Sequence, residues 1–269
     1  MKVSGFTRIS LRTVALAYIL ILLVLPLVII LWRSFENGIG QFIDWISTPA
    51  AISAFNISMI IVLIVVPLNI IFGIVTAIAL VRGNFPGRSL LQGVVDLPFA
   101  VSPVVVGVSL ILLWGAAGWF GDVENLGFRV IFGLPGMVIA TLFVTLPYVV
   151  REVEPVLHEI GDDQEQAATT LGASRWQTFW RITLPAIRWG LTYGIVLTVA
   201  RALGEFGAVI MVSTGLPGGG QTLTLLVNAR YMNDRNIFGA YCAATLLMGM
   251  ALVTLLLMTL LERKRGKAQ

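Results

Sequence analysis

Six apolar stretches, each close to the 20 or so residues a helix needs to cross a bilayer, constrain this chain more than any other feature. They run roughly 12–33, 57–81, 90–115, 134–150, 188–213 and 238–261. In hydrocarbon every backbone N–H and C=O must be satisfied within the protein, so such runs fold as helices or as strands of a closed barrel. None alternates polar and apolar residues as barrel strands do. Composition agrees: 57% of the 269 residues are apolar and 12% are charged, against about 25% charged in a soluble domain. The expected fold class is an all-α polytopic membrane protein of about six transmembrane helices. The first run follows Lys2, Arg8 and Arg12. It is too long for a signal-peptide core and Pro26–Trp32 hold no small-residue cleavage pattern, so it reads as a retained span.

Orientation follows from the basic residues in the short connections. With the amino terminus in the cytoplasm, thirteen of the eighteen Lys and Arg fall inside, among them Arg82, Arg88, Arg151, Arg175, Arg181, Arg188 and the carboxyl-terminal cluster up to Lys267. Only Arg33, Arg129, Arg230 and Arg235 fall outside, and Arg201 lies within a span. Both termini and the 151–190 connection are therefore expected on the cytoplasmic side. The net charge of +4 reflects this bias. Basic residues that flank spans form no soluble patch, so nucleic acid is not an expected partner. The ERKRGK tail reads as a membrane-surface anchor. Cys242, alone in the last run, reads as a packing residue. His158 has no second His or Cys to share a metal and reads as a solvated loop residue. No Walker A sequence and no nucleophile–base pair is present, so no catalytic residue is expected.

The longest polar insert is 151–190, REVEPVLHEIGDDQEQAATTLGASRWQTFWRITLPAIRWG. It reads as two short amphipathic helices around a glycine break. Asp162 or Asp163 can N-cap the first. Ala167, Ala168 and Leu171 form a small apolar face at helical spacing, and Gly172 suits a left-handed C-terminal cap. Trp176, Phe179 and Trp180 give the second helix an apolar face, and Pro185 is expected to end it. The spacing suits a docking knob for a partner and equally a loop resting on its own membrane domain, since both use one period.

Elsewhere, residues 34–56 are an outer connection whose FIDWISTPAAISAFNIS pattern suits a short interfacial helix with Trp45 at headgroup level. Pro67 and Asn69 lie within the second run, and Arg82 to Arg88 make a tight turn. The third run, DLPFAVSPVVVG, is interrupted by Pro98 and Pro103. Broken helices at membrane depth line a cavity or are buried in protein. A half-helix starting at Ser102-Pro103 would aim its positive end at an anion, or the prolines merely shape packing. Asp96 reads as a hydrogen-bonding residue near the cytoplasmic end. In the fifth run Arg201 and Glu205 are four apart and can pair on one helix face. They read as a self-neutralising packing pair, with Arg201 on an anion path as the other reading. Gly204 and Gly207 permit close helix approach. The Gly215–Gly220 stretch lacks the following Lys-Ser/Thr of a phosphate loop. The Thr222 and Thr224 segment after it reads as a re-entrant gate.

Gln166-Ala167-Ala168, Gly172 and Ile182-Thr183-Leu184-Pro185 stand in the register E-A-A-x3-G-x9-I-x-L-P. With that motif the insert resembles the coupling loop of ABC importer permeases, with Gln166 in place of the motif glutamate and Glu165 just before it. DLPFAVSPVVVG, REVEPV, RALGEFGAV and GGGQTLTLLV extend the resemblance over nearly the whole chain to the sulfate/thiosulfate importers, with the molybdate/tungstate permeases as the second reading. The resemblance implies one MetI-like transmembrane permease domain over 1–269, with core 57–262, in a bacterial cytoplasmic membrane. It implies coupling contacts at Glu165, Gln166, Ala167, Ala168, Leu171, Gly172, Ile182, Leu184 and Pro185. It also implies a sister sulfate permease of the CysT type as heterodimer partner, two cytoplasmic ATPase subunits that use ATP and magnesium, and a sulfate-binding protein that delivers sulfate or thiosulfate. No cofactor is expected on this chain. A secondary transporter with Asp96, Arg201 and Glu205 as ion-coupling groups would leave the coupling motif unexplained.

Overall fold

A computed structural model describes residues 5–125, 127 and 129–265; Lys2 and Lys267 lie outside them. Every regular element among the described residues is helical. The first span is α1 (Gly5–Ile19) and α2 (Leu25–Phe35), joined by a π-turn at Leu20–Val24. A short α3 (Ile39–Ile46) leads into α4 (Pro49–Arg82). Next come α5 (Arg88–Ala100) and α6 (Pro103–Trp114), a single turn α7 (Asp122–Asn125), and the long α8 (Leu134–Ile160). Then follow α9 (Asp163–Thr170), α10 (Arg175–Thr178), a π-turn at Phe179–Thr183, α11 (Leu184–Leu203) and α12 (Gly207–Val212). The chain closes with α13 (Leu223–Asn228), a π-turn at Ala229–Asn233 and α14 (Ile237–Arg265). Among the described residues five helices are long and apolar enough to cross a membrane, and α5 with α6, bent by 113° at the break between them, is a sixth candidate as a broken span or a re-entrant loop.

Helix α8 is the centre of the bundle, packed on α4 and α11. Its first half joins Ile57, Ile61 and Val65 of α4, Val106 and Leu110 of α6, and Ala208, Val209 and Val212 of α12 in one core. Its second half, Val149 to Leu157, forms another with Ile74, Ala77 and Leu80 of α4, Val95 of α5 and Ile187 of α11. The contact is close because small residues face it. A Cβ on Gly73 would lie 2.5 Å from Val149 Cγ1, one on Gly190 would lie 2.5 Å from the Glu152 carbonyl, and one on Gly194 would lie 3.0 Å from Val149 Cα. Asn69, fully buried in α4, donates to Thr145 of α8 at 2.6 Å. The first span is peripheral and meets α14 through a buried Ser34–Thr245 hydroxyl pair at 2.5 Å. Cys242 is buried in α14, as a packing residue should be.

Several boundaries differ from the sequence reading. The second span starts at Pro49, eight residues before the apolar run, because Thr48 caps it by accepting from the Ala51 N–H. The short helix expected in 34–56 is α3, and its Trp45 is half-buried with the ring against Gly239 of α14. The fourth span continues to Ile160, so the polar residues 151–160, His158 included, are helix and not loop. His158 stays exposed, 3.9 Å from Glu154 one turn back. Pro185 does not end a helix. Residues Arg175–Leu203 form one continuous 29-residue helix. The π-turn shifts the hydrogen-bond register just ahead of the proline, with the Leu184 N–H bonding Phe179 O, so the missing donor falls near the start of the α-helical register. At its other end the run expected over 188–213 stops at Leu203, and 207–212 is a separate helix.

Substituting Gly73 by Val should overpack the α4–α8 contact and cost about 1–3 kcal/mol, seen as a lower unfolding temperature of the detergent-purified protein. Gly93→Ala, where a Cβ meets nothing within 4 Å, should be neutral or slightly stabilising. Equal behaviour of the two would show that the close approach is not tight.

Candidate coupling surface and broken-helix node

At the end of the bundle formed by the last turns of α4 and α8, the chain leaves α8 at Gly161 and makes the two-turn α9. Asp162 stands at its N-cap position but does not cap it through its side chain. The carboxylate instead accepts from Gln166 Nε2 at 2.8 Å, so neither aspartate makes the expected side-chain cap. The other end is built as expected. Gly172 has φ +83, its N–H bonds Thr169 O, and the Ala173 N–H bonds Ala168 O, both at 3.0 Å. These two bonds are the Schellman pattern, and it turns the chain sharply at a residue free of Cβ strain. Ser174 and Gln177 then form a reciprocal capping box that starts α10.

The exposed surface of this segment carries an apolar patch among polar residues. Leu171 is 88% exposed and Trp176 70%. Trp180 is exposed too, its ring 5.4 Å from those of Trp176 and Phe179. Ala167 and Gly172 are exposed beside Leu171, whereas Ala168 is half-buried. Ile182 and Leu184 turn half-inward, and Leu184 packs on the core of α4 and α8. Phe179 also packs there, so the aromatic face is split between the bundle and the surface.

Two neighbours of the coupling motif behave differently. Gln166 is exposed and reaches only Asp162 within its own helix region. Glu165 points the other way. Its Oε2 lies 3.1 Å from Arg82 Nε, and its Oε1 accepts from Thr183 Oγ1 at 2.7 Å. Arg82 also donates to the carbonyls of Leu157 and Gly161. Arg82 read as a turn residue from sequence, and Thr183 carried no signal beyond its place between Ile182 and Leu184; each joins the site only because four helix ends meet there. Nearby, Asp96 of α5 holds Arg151 of α8 through two bonds to Oδ1 at 3.0 and 2.6 Å, and Arg151 lies 6.0 Å over the Phe99 ring. This is the structural hydrogen-bonding role expected of Asp96.

The second cluster forms at the breaks in two helices. Ser102 is the N-cap residue of α6 and Pro103 its first residue. Gly207, at the start of α12, would place a Cβ 3.1 Å from Pro103, which is why a glycine stands there. Between α11 and α12, Arg201 Nη1 meets Glu205 Oε2 at 2.6 Å. Glu205, however, lies beyond the helix end at Leu203, so the pair does not share a helix face as expected. The carboxylate of Glu205 is 1% exposed. Its Oε1 accepts from the Ala208 N–H at 2.8 Å, its carbonyl accepts from Thr224 Oγ1 at 2.8 Å, and its N–H bonds Ala202 O. One residue thus satisfies the chain ends left open by the break. Thr222 caps α13 and meets the Thr224 hydroxyl at 3.0 Å. Arg201, Glu205, Thr224 and Thr222 are thus linked in one node at the Gly204 break, with Pro103 packed beside it on Gly207, while Ser102 does no more than precede α6. Beside it lies a cavity of about 560 Å³, lined by Gly204, Thr224, Leu203 and Phe206 with Leu27 of α2 and Leu247 of α14. Arg201 does not line it, and its apolar wall is unsuited to a doubly charged anion.

These features define a polytopic helical membrane protein with a short, partly exposed helix between two of its long helices. The family model for the binding-protein-dependent transport system inner membrane component matches residues 69–267, and the chain belongs to that family. The chain is 46% identical over 255 residues to the sulfate transport system permease protein CysW of Synechococcus elongatus, covering 94% of this chain and 89% of that protein. It is 35% identical over 251 residues to the sulfate transport system permease protein CysT of Synechocystis, covering 93% and 87%. Among solved structures, a bacterial alginate ABC transporter bound to its alginate-loaded periplasmic protein superposes with a TM-score of 0.81, covering 97% of this chain and 96% of that one at 18% identity. That likeness concerns the fold.

Arg201→Ala leaves the Glu205 carboxylate buried without its counter-charge and should destabilise the protein by about 3 kcal/mol or more. Adding Glu205→Gln removes the charge while an amide oxygen still accepts from Ala208, so the double variant should recover most of the loss. Thermal unfolding of the purified variants reads this, and no recovery would mean that Arg201 does not serve to neutralise Glu205.

Proposed function

We propose that this chain is the membrane-spanning subunit of an ATP-driven importer that carries sulfate, and thiosulfate with it, into the cell. The observation that carries the reading is the alignment with a sulfate transport permease over 255 of 269 residues. A match of that length necessarily includes both the α9 segment and the broken helices. The thirteen-to-four distribution of basic residues supports a cytoplasmic position for both termini and for the α9 end.

In this reading the exposed Ala167, Leu171 and Gly172, with Trp176 and Trp180 beside them, seat in a cytoplasmic ATPase subunit. Small residues at the tip allow close approach, and the aromatic pair supplies buried area of the kind that anchors interfaces. Gln166 is at the rim of this contact. Ile182, Leu184 and Pro185 act from behind, holding the segment on the bundle. Two such ATPases, which hold the ATP and magnesium, serve this chain and a sister permease of the CysT type. A binding protein outside delivers the oxyanion. Closure of the ATPases shifts the bundle between inward- and outward-open states, with the differential binding energy entering at the α9 surface. The node at Arg201 and Glu205 is the hinge of the broken helices, and substrate choice rests largely with the binding protein.

Cells lacking this chain should lose uptake of labelled sulfate, and in its presence that uptake should be competed by unlabelled thiosulfate but not by molybdate. Retained sulfate uptake with loss of molybdate uptake would move the substrate assignment. Gly172→Asp should abolish ATP-coupled uptake while the protein still inserts. The site has room for a Cβ, and the left-handed backbone costs an L residue only about 1–2 kcal/mol. Normal uptake by that variant would remove the docking role of the tip.

A further inference from the structure

We propose that Glu165 is a positioning residue: with Arg82 and Thr183 it locks α9 onto the ends of α4, α8 and α11, so that a load on the α9 surface moves these three spans as one body. The proposal rests on the importer reading and adds the route by which the load enters the membrane domain. At the motif position, Gln166 is bonded only to Asp162 and so cannot carry a load out of its own segment. Glu165 engages both carboxylate oxygens, one with Arg82 at the end of α4 and one with Thr183 in the π-turn that leads into α11, and through Arg82 it is tied to a third element. The third element is α8. Its last carbonyls have no partner within the helix, and Arg82 donates to those of Leu157 and, just past the helix end, Gly161. The planar guanidinium can serve the carboxylate and two carbonyls at once, which an ammonium on a flexible stem holds less rigidly. Arg82 and Glu165 are each only 21% exposed in their side chains, so the pair is partly shielded from salt. The three helices it joins are those of the central core, where Gly73, Gly190 and Gly194 bring α4 and α11 against α8 with little room to slide. By contrast, α6 and α12 pack on each other beyond the break at Gly204. The load therefore enters the α4–α8–α11 unit first and reaches α6 and α12 through the core they share with α4 and α8 as well as through the node.

The test uses the complete importer in proteoliposomes, with sulfate uptake and ATP hydrolysis measured in the same vesicles. Arg82→Ala and Glu165→Ala should each lower the sulfate moved per ATP by about tenfold, within the range that coupling free energies span, while the ATPase still copurifies. The double variant should be no worse than either single one, because the two act as a unit. Arg82→Lys should fail to restore the ratio. Hydrogen exchange of amides 166–171 should speed up in Glu165→Gln, which keeps the side-chain volume and also serves if Glu165→Ala does not accumulate. That exchange readout does not depend on what is transported, so an inactive wild-type importer would sink the sulfate reading and leave the brace to be judged by exchange. An unchanged ratio in Glu165→Ala, unchanged exchange in Glu165→Gln, or loss of ATPase copurification with Glu165→Ala would each overturn the proposal.

Discussion

Water is absent from the interior of a bilayer, so each backbone N–H and C=O there must find a partner in the protein. The architecture of this chain follows from that constraint. It imposes helix on every long apolar run, and it makes each interruption an event that needs its own chemistry. Two interruptions lie in the bundle, at Val101–Ser102 and at Gly204–Phe206. The second is closed by Glu205, whose side chain takes the Ala208 N–H and whose backbone carbonyl takes the Thr224 hydroxyl. A carboxylate in such a place is costly alone, and Arg201 supplies the opposite charge. The charges in the span are thus a consequence of the break, and the break in turn lets α12 fold back onto α6.

At the other end the constraint relaxes, since water can reach the chain, and polar side chains take over the joining of helices. Arg82, Glu165 and Thr183 tie four helix ends, while Asp96 and Arg151 tie α5 to α8. Between the two polar zones lies a core held by close approach and the buried Asn69–Thr145 hydrogen bond, with Val149 of α8 between Gly73 and Gly194. A load applied at α9 therefore meets a stiff unit before it meets the hinge at Gly204. Close-packed cores transmit strain because their side chains have few alternative positions.

The fold class was legible in the sequence because hydrophobic length is a one-dimensional signal. The broken third span was equally legible from Pro98 and Pro103, and the Gly172 cap from its place after an alanine-rich turn. What misled was reading polar residues as loop. Residues 151–160 are polar yet helical, since a helix that leaves the membrane keeps its internal hydrogen bonds in water. Pro185 misled for a related reason, because a π-turn one residue ahead moves the register and leaves the proline harmless. The Arg201–Glu205 pair was anticipated from its spacing, but the helix ends between the two residues, and the contact is made by a turn.

By itself, the sequence determined what depends on local order: helices of spanning length, a glycine turn after α9 and a break at the prolines of the third apolar run. The coupling motif also stands in the sequence, since its spacing is linear. Tertiary structure alone decided which residues meet across the chain. Arg82 and Glu165 are 83 positions apart, Ser34 and Thr245 are 211 apart, and Pro103 meets Gly207 only because α12 turns back at the break. No periodicity encodes such encounters. They depend on how the other helices pack around α8, and that packing also decides that Glu165 faces inward to the bundle while its neighbour Gln166 faces the solvent.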